Sequence, residues 1–508
     1  MDSIFYLSLL AGVVFGGVLV NLTLGAASRW RRKYPPGPRR LPIIGNAHQV
    51  PKDQPWETFG TWSKSYGNMV YLDLMGQPAV VLNSRQLASE LLDKRSAIYS
   101  DRPVLEMASL CGYSNLMVLS QYGEGWKQQR KIACREFLPT TVKKHFPFQE
   151  KVMRELVRSI VADPSSIRKE IAYRMGVVIM RMTYGYALTG KDDHFLQNAV
   201  EAVDNFKGIS NPGQWLVDVI PAMKHLPRWV PGTSFFRTAE RYSKDLMSAC
   251  FDPFRWAQAN LATGHSLLPN LVGDMLDEGT LSASDAKILP WSALSMFGGA
   301  LDTNVGTVMS FLLFMIHNPD IQAKVQAELD KVVGKHRLPS ITDRPDLPYL
   351  RSVITESLRV GCPPPLCVPH ALSRDDEYNG YFLSKGTWIL PNIWQMCHDP
   401  ADYPDPFVFR PERYNNDDAE MEKLKSVVFG FGRRVCAGRD FGESGIFVIA
   451  ATLLATCDIL PGLDENANVV MPEIAFTNGS IREPKPFTTR FKPRSSEAAS
   501  LLAEISSD

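Results

Sequence analysis

One cysteine of this chain stands in a glycine-rich, basic loop near the C-terminal end, in the run from Phe429 to Gly438 that reads FGFGRRVCAG. Glycine lets a backbone approach a ligand closely. An apolar helical pattern, Phe447 to Leu454, follows the loop. Backbone N–H groups ahead of a helix and the helix dipole stabilise a thiolate. The pattern predicts that Cys436 is a thiolate ligand.

The remaining cysteines carry no such signal, and the ordinary interpretation of each is a small buried core residue. They are Cys111, Cys134, Cys250, Cys362, Cys367, Cys397 and Cys457. No Cys-x-x-Cys pair is present, so Cys436 has no neighbour in the sequence for a disulfide or a tetrahedral zinc site. A lone thiolate fits the axial position of a haem iron. A buried cysteine in a tight turn is the alternative.

The spacing of Phe429, Gly432, Arg434, Cys436 and Gly438 resembles the ligand loop of the cytochrome P450 family, the haem-thiolate monooxygenases. The resemblance runs from the hinge at residues 35–38 to the C-terminal strands. It implies the P450 fold, which is mostly helical with a smaller β portion. It also implies one catalytic domain that binds haem b, with Cys436 as the iron ligand and Phe429 and Gly438 beside it.

Other positions match family residues that contact the haem propionates. Trp126 and Arg130 lie one helical turn apart and so share a helix face. The resemblance implies that both bind a propionate, as do His370 and Arg434. A charge-assisted contact between arginine and carboxylate is expected there. For His370 the alternative is a hydrogen-bonded core histidine.

Glu356 and Arg359 fit the family's Glu-x-x-Arg pair, and three residues of separation place them on one helix face. Arg413, in the run FRPERY at 409–414, resembles the arginine that completes a buried triad. The resemblance implies a structural role for all three, namely to hold the haem loop.

The oxygen side of the site is expected at Asp302 and Thr303, in the run Gly299-Ala300-Leu301-Asp302-Thr303 of an apolar helical stretch. In the family these two residues relay protons during oxygen activation, and both side chains suit that chemistry. Ala300 stands where the family mostly has glycine. Asn304 follows where threonine or serine is usual.

The segments that match family substrate contacts are apolar, and no cluster of acids or bases appears in them. The predicted pocket residues are Met107, Leu116, Phe297, Leu301, Leu366, Val368 and Phe476. Such a lining favours a small apolar substrate of terpenoid, polyketide or aromatic type. Segments 212–218 and 226–232 resemble fungal microsomal members linked to secondary metabolism, which suggests a tailoring step in a biosynthetic pathway.

The electrons must come from another protein, because no GxGxxG fingerprint for a flavin or nicotinamide occurs. The family implies an NADPH-dependent cytochrome P450 reductase as partner and O₂ as co-substrate. Lys127, Lys131, Arg433 and Arg439 would place positive charge near the thiolate face for an acidic reductase. The net charge of +1, from 55 Lys+Arg and 54 Asp+Glu, argues against nucleic acid as a partner.

At the N-terminal end, the sequence predicts a membrane anchor. Residues 3–28 form an uncharged stretch that is long enough to cross a bilayer. A basic cluster follows at 29–33. The expected organisation is a transmembrane anchor at 1–28, a basic, proline-rich hinge at 29–45 and a catalytic domain at 46–508. This predicts a single-pass protein of the endoplasmic reticulum membrane, in contact with lipid, whose body faces the cytosol. A cleaved signal peptide is the alternative.

Coarse patterns predict the elements of the body. Residues 68–83 read as a β-hairpin, and short strands are expected near 366–391 and 474–491. A helix is predicted from Pro319 to Val333, with Gly334 at its end, and another from near Pro290 to His317.

Two other functions stay open beside the monooxygenase. One is a haem-thiolate isomerase or dehydratase that does not consume O₂. The other is a non-catalytic haem sensor or carrier. The pair Asp302 and Thr303 favours the monooxygenase.

Overall fold

The computed structural model describes residues 32–210, 213–263, 268–277 and 282–505. Helices dominate this part of the chain. In order they are α1 (Pro55–Tyr66), α2 (Arg85–Ala88), α3 (Ser96–Tyr99), α4 (Glu106–Cys111), α5 (Glu124–Phe137), α6 (Phe146–Ala162), α7 (Ile167–Tyr184), α8 (His194–Ser210), α9 (Leu216–Val219), α10 (Phe235–Ala262), α11 (Leu271–Asp277), α12 (Ala283–His317), α13 (Pro319–Val332), α14 (Pro348–Gly361), α15 (Ile393–Cys397), α16 (Asp418–Val428), α17 (Arg439–Thr456) and α18 (Ser496–Ala503). A π-helical turn, Ser89–Lys94, follows α2.

The strands form small sheets at the edges of the helical body. They are β1 (Met69–Leu74), β2 (Gln77–Leu82), β3 (His370–Ala371), β4 (Asp376–Tyr378), β5 (Tyr381–Leu383), β6 (Trp388–Pro391), β7 (Cys457–Leu463), β8 (Val469–Val470) and β9 (Thr489–Pro493). One sheet has the order β1-β2-β6-β3, in which β2 and β6 are parallel. A second pairs β4 with β5, and the third has the order β8-β7-β9.

The strand predictions are confirmed in part. β1 and β2 are the expected hairpin, with Val70 opposite Val81. β3 to β6 fall within the predicted range 366–391. Near 474–491 a single bridge joins Phe476 to Pro484, and a full strand begins only at Thr489. β7 was not predicted, because Pro461 and Gly462 interrupt its alternating pattern.

The long helix α12 begins earlier than its pattern suggests. The predicted start near Pro290 was wrong, because the helix starts at Ala283 and carries Pro290 inside it. The Ser282 side chain accepts a hydrogen bond from the Asp285 N–H and so caps the first turn. The neighbouring prediction is confirmed: α13 starts with Pro319 at its first turn, and Gly334 follows with a φ of +81°.

Within the described ranges, Ser284–His317 is the one helix with the length and apolarity to cross a membrane. Of its most apolar stretch, 67% is buried inside the protein. It packs against α5, α7, α14 and α17. Burial on this scale is typical of a central core helix. The predicted anchor, residues 1–28, lies outside the described residues.

The described part of the hinge is docked on the body. The Tyr71 N–H of β1 donates to the Pro36 carbonyl at 2.9 Å, and the Phe382 N–H of β5 donates to the Lys33 carbonyl at 2.7 Å. The Arg32 guanidinium lies 3.9 Å from the centre of the Phe382 ring. The hinge therefore enters the molecule as an ordered segment against two sheets.

Candidate active site

The cysteine loop connects α16 to α17 through two residues with positive φ. Gly430 has a φ of +81° and Gly432 a φ of +57°, which L side chains rarely adopt. A Cβ on Gly432 would also lie 2.0 Å from the Leu92 carbonyl oxygen. The Cys436 N–H donates to the Phe429 carbonyl at 2.8 Å and closes the loop. Position 432 therefore requires glycine for two reasons: its φ is positive, and the Leu92 carbonyl oxygen leaves no room for a Cβ.

The Cys436 side chain is exposed at the end of this loop. Burial raises the pKa of the thiol, while the Gly438 N–H and the Arg130 guanidinium act in the opposite direction. Helix α17 starts at Arg439, and its N-terminal dipole favours the thiolate.

Arg434 extends from this loop into a cluster of backbone carbonyls. It donates to Ser100 O at 2.9 Å, to Met117 O at 3.0 Å and to Ser120 O at 2.7 Å. Its guanidinium lies 4.3 Å from the centre of the Trp126 ring. The Trp126 Nε1 is buried and has no hydrogen-bond partner in the described part of the chain. A buried N–H without an acceptor is costly, so the position suits a bound acceptor.

Arg102, which the sequence analysis missed, lies in the same region. It is buried and donates to Val118 O at 3.0 Å, Val368 O at 2.6 Å and Pro369 O at 2.9 Å. Burial lowers its pKa to about 10. No local sequence signal marks Arg102, because all these acceptors are backbone carbonyls brought in by tertiary structure.

The cluster carries more positive than negative charge. Burial, and then repulsion from Arg102, lower the pKa of Arg434 to about 8. Arg130 is half-buried and forms no hydrogen bond or ion pair with any residue that the structure describes. Asp101 is the acid that acts on both Arg102 and Arg434. Three guanidiniums around one carboxylate fit a ligand with two carboxylates, which is the chemistry of the haem propionates.

His370 lies beside these arginines as a neutral side chain. It is buried, and its Nδ1 contacts the Tyr99 carbonyl at 2.7 Å. A carbonyl only accepts, so Nδ1 carries the proton and Nε2 is left as an acceptor. Burial, and then repulsion from Arg102 and Arg434, hold the pKa of His370 well below its usual value. The structure therefore brings Trp126, His370 and Arg434 together.

On the other side of the site, α12 presents an open patch. Gly299 is exposed in the middle of a largely buried helix, and a Cβ there would meet nothing within 4 Å. The Thr303 hydroxyl, one turn on, donates to the Gly299 carbonyl at 2.8 Å. The Asn304 amide donates to the Ala300 carbonyl at 2.6 Å. A small open groove with a hydroxyl at its edge results.

Asp302 points away from Thr303, because successive helix residues diverge by about 100°. Its Oδ1 lies 3.1 Å from the Nζ of Lys207 on α8, and Lys207 also pairs with Asp204 at 2.9 Å. Burial raises the pKa of Asp302, and Lys207 opposes that shift. The partner Lys207 is a second residue that the sequence did not reveal.

Of the predicted pocket residues, Met107, Leu116 and Val368 belong to one apolar cluster, and Phe297 and Leu301 belong to another. Met107, Leu116, Phe297 and Leu301 are buried, and Leu366 and Val368 are half-buried. The Met117 N–H donates to the Ser295 hydroxyl at 3.0 Å, which ties the loop after α4 to α12.

Phe476 is placed differently. Its ring centre lies 6.4 Å from that of Phe314, and the Arg482 guanidinium lies 3.6 Å from its centre. Phe314 is 13 residues, about 20 Å of helix, beyond Leu301. Phe476 is thus packed in the core near the C-terminal end of α12, far along the helix from Leu301.

The residues of the predicted triad lie together around the Glu356 carboxylate. Glu356 on α14 accepts from Arg359 through both oxygens at 2.8 Å and from Arg413 Nε at 3.0 Å. Tyr414, which the sequence analysis missed, donates to the same carboxylate at 3.0 Å. Glu356 and Arg359 are completely buried. A buried ion pair that loses one partner leaves an uncompensated charge, so this cluster resists substitution.

Comparison with known proteins agrees with this architecture. The family model described as Cytochrome P450 matches residues 35–489. Cytochrome P450 monooxygenase 105 of Postia placenta is 44% identical over 481 residues, which cover 94% of this chain and 92% of that protein. Cytochrome P450 monooxygenase claR of Ampulloclitocybe clavipes is 36% identical over 97% of this chain and 92% of its own length. Cytochrome P450 monooxygenase COX1 of Coprinopsis cinerea is 34% identical over 92% of this chain and 93% of its own length.

These matches span the hinge, the helical body and the cysteine loop alike. The chain therefore belongs to the cytochrome P450 monooxygenases, a mostly helical family that binds haem b through an axial cysteine thiolate.

Proposed function

We propose that this enzyme hydroxylates or otherwise oxidises a small apolar metabolite, a terpenoid first and a polyketide or aromatic compound next, as a tailoring step of a fungal biosynthetic pathway. This proposal is carried by the apolar character of the predicted pocket residues, of which Met107, Leu116, Phe297 and Leu301 are all buried. A buried lining without a charged side chain gives a charged substrate no compensation for lost hydration. An apolar substrate loses little on entering it.

The residues of the site divide by task. Cys436 would hold the iron, with Phe429 and Gly438 shaping its loop. Arg102, Trp126, Arg130, His370 and Arg434 would hold the propionates. When bound, the haem supplies the activation of O₂, to which the thiolate contributes electron density. Thr303 holds a proton at its hydroxyl beside Gly299, and Asp302 is an acid that points away from that hydroxyl and pairs with Lys207.

Electrons are proposed to come from an NADPH-dependent reductase bound at the thiolate face. Two of the expected bases there are neutralised, because Lys127 pairs with Glu124 at 2.5 Å and Arg439 pairs with Glu422. Lys131 and Arg433 remain as the cations that support docking. If the reductase docks on these two cations, its association rate should be high at low salt and should fall as the salt concentration rises.

The protein is proposed to act at the endoplasmic reticulum membrane, anchored by residues 1–28. The segment around α9 supports contact with lipid, since it exposes large apolar side chains. They are Leu216 (63% exposed), Ile220 (51%), Leu226 (39%) and Trp229 (82%). Tryptophan is common at membrane interfaces.

Turnover with ¹⁸O₂ tests the proposal. The protein is produced with a reductase and offered a panel of terpenoid, polyketide and aromatic scaffolds. Incorporation of one labelled oxygen atom into a product supports the monooxygenase assignment. Product without label identifies an isomerase or dehydratase, and spectral binding without turnover identifies a sensor or carrier.

The Cys436→Ser variant tests the ligand assignment. Serine does not ionise as the thiol does. We expect the variant to lose the thiolate-specific absorbance of the reduced carbon monoxide complex. Cys367→Ser is the matched control, since Cys367 lies near the loop without being the proposed ligand. A normal spectrum from Cys436→Ser would refute the assignment.

A further inference from the structure

A cleft outside the candidate active site lies between helices α6 and α18 and the loop that follows α13. Its volume is about 480 Å³, which is within the range of small-molecule sites. These three segments carry neither the cysteine loop nor the groove on α12, so the cleft has no part in the site described above.

Much of the lining of this cleft is basic. Lys151 and Arg154 lie three residues apart on α6 and therefore share a helix face. His336 and Arg337 reach the same cleft from the loop after α13. Two separate segments thus bring three permanent positive charges and a histidine to one space.

Nearby acids compensate this charge only in part. Among the described residues that line the cleft, Glu504 is the one acid. Beside the lining, Asp343 pairs with Arg337 through two hydrogen bonds of 2.7 Å, and Glu150 lies 3.4 Å from Arg154. The charge that remains suits a ligand with a single negative charge better than a polyphosphate.

Arg154 has donor capacity that its protein contacts do not use. Its Nη2 donates to the Pro339 carbonyl at 2.7 Å. Its Nε is buried and has no hydrogen-bond partner in the part of the chain that the structure describes. A buried N–H without an acceptor is costly. A carboxylate suits such a guanidinium, because its two oxygens accept two parallel N–H groups.

The rest of the lining is largely apolar. Leu338 follows the two basic loop residues, Leu501 lies on α18, and Ile505 lies just beyond the end of that helix. Ile505 is buried, and its carbonyl accepts from the Arg158 Nη1 at 2.7 Å, which holds the end of α18 against α6. The alkyl part of a ligand would be removed from water here, which is favourable.

We propose that this cleft binds a small amphipathic monoanion, namely a carboxylate with an alkyl body such as a medium-chain fatty acid. The carboxylate lies on Lys151 and Arg154. The alkyl body lies against Leu338, Leu501 and Ile505. The cleft is separate from the substrate site, so the proposal goes beyond the proposed function and does not depend on it.

Calorimetric titration of the holoenzyme with octanoate tests the cleft. The protein is reconstituted in lipid discs, and clotrimazole is bound at the haem so that octanoate cannot enter the active site. The heat from empty discs is subtracted. We expect octanoate to bind about tenfold more tightly than acetate, which lacks the body, or octan-1-ol, which lacks the charge. Its affinity should fall as the salt concentration rises.

Variants of the lining give opposite signs. Arg154→Gln should weaken octanoate binding about tenfold, the equivalent of about 1.4 kcal/mol, because it removes a charge-assisted hydrogen bond. Glu504→Gln should tighten binding about two- to threefold, because it removes the acid from the lining. His336→Glu should weaken binding, because it adds a negative charge.

Arg255→Gln is the matched control. Arg255 lies on α10, does not line the cleft and pairs with Asp252 at 3.1 Å, so its replacement changes the net charge equally. It should leave the affinity for octanoate unchanged.

Absence of octanoate binding, or equal affinity for octan-1-ol, would overturn the proposal. Equal weakening by Arg154→Gln and Arg255→Gln would overturn it as well, because binding would then depend on net charge alone. Should Arg154→Gln not fold, the exposed residues Glu504 and His336 decide: unchanged affinity in both variants contradicts the cleft. None of these outcomes depends on ¹⁸O₂ incorporation, so the cleft and the proposed function fail independently.

Discussion

Single residues set the charge of the site, and their environments differ sharply over short distances. Arg102 is buried and Arg434 is half-buried against carbonyls, and both have lowered pKa values, whereas the half-buried Asp302 has a raised pKa. Arg102 and Arg434 favour the binding of a ligand with two negative charges. Asp302 is suited to take up and release a proton. The two halves of the site thus differ in chemistry at the level of individual side chains.

Replacement of Thr303 tests its part in proton delivery. Thr303→Ala removes the hydroxyl that donates to the Gly299 carbonyl and leaves the helix backbone intact. A positioned proton donor contributes about 10²–10⁴-fold to the rate of its step. We expect near-normal haem content and azole binding, with most of the NADPH consumed yielding hydrogen peroxide instead of product.

Thr307→Ala provides the control for that experiment. The Thr307 hydroxyl makes the same kind of bond one turn further on, to the Thr303 carbonyl at 2.7 Å. Its loss should leave the ratio of product to NADPH unchanged. If Thr303→Ala stays fully coupled, Thr303 does not deliver the proton, and Asn304 becomes the group to replace next.

His398 makes the stability of the body depend on pH. It is buried, its Nδ1–H donates to the Trp394 carbonyl at 2.8 Å, and burial lowers its pKa to about 3. Between about pH 6.5 and pH 3 the unfolded chain therefore binds a proton that the folded chain does not. From about pH 7 to pH 5.5 this lowers the free energy of unfolding by about 1.2 kcal/mol.

His398→Asn should remove that part of the pH dependence, because an amide can donate to the same carbonyl and does not titrate. Urea unfolding followed by tryptophan fluorescence at both pH values measures the difference. The same pH dependence in variant and wild type would exclude His398 as the titrating group.

At the scale of elements, the site is assembled from loops held by helices and sheets far apart in sequence. Helix α12 carries Gly299 and Thr303, and the loop between α16 and α17 carries Cys436. The Glu356 cluster on α14 fixes the segment that precedes α16. The docked hinge extends this assembly to the N-terminal side, because it pairs with β1 and β5.

Gly37 is the point at which the hinge touches the sheet most closely. A Cβ at this position would lie 2.0 Å from the Tyr71 carbonyl oxygen, which is backbone and cannot swing away. We expect Gly37→Ala to lower stability by about 1–3 kcal/mol and to detach the hinge. Trypsin should then cut faster at Arg39 and Arg40.

Gly125→Ala is the matched control, since a Cβ on Gly125 would meet nothing within 4 Å. It should leave both the cleavage rate and the thermal midpoint unchanged or slightly raised. Equal behaviour of the two variants would show that the hinge contact contributes nothing.

On the scale of the whole molecule, the net charge and the exposed apolar surface bear on which partners are expected. The net charge is +1, so the net charge by itself provides little attraction to nucleic acid. The exposed side chains around α9, Trp229 foremost, form an apolar surface on the described body. Together with the predicted anchor, this surface favours a molecule that lies against a bilayer.

Deletion of residues 1–28 should release the body from membranes at least in part and leave its carbon monoxide spectrum unchanged. Some attachment should remain through the surface around α9, and Trp229→Ser in the truncated protein should reduce it. Carbonate extraction and vesicle sedimentation measure both effects. Carbonate-resistant insertion of the truncated protein would contradict a single span at 1–28.

The sequence by itself determines those features of this protein that depend on residues close together in the chain. The cysteine loop, the hairpin of β1 and β2 and the start of α13 at Pro319 depend on glycine, turn and capping chemistry within a few residues of each other. The spacing of Glu356 and Arg359 likewise places both on one helix face, because three residues make nearly one helical turn.

Which distant groups meet depends instead on the tertiary structure. Arg102 joins Arg434 through carbonyls of three separate loops, Lys207 reaches Asp302 across two helices, and Asp218 caps a helix 111 residues away. Phe476 matches a pocket segment in sequence, yet it packs beside Phe314. Such contacts depend on where whole elements pack, and the free energy of packing is shared among many side chains, none of which carries a local sequence signal.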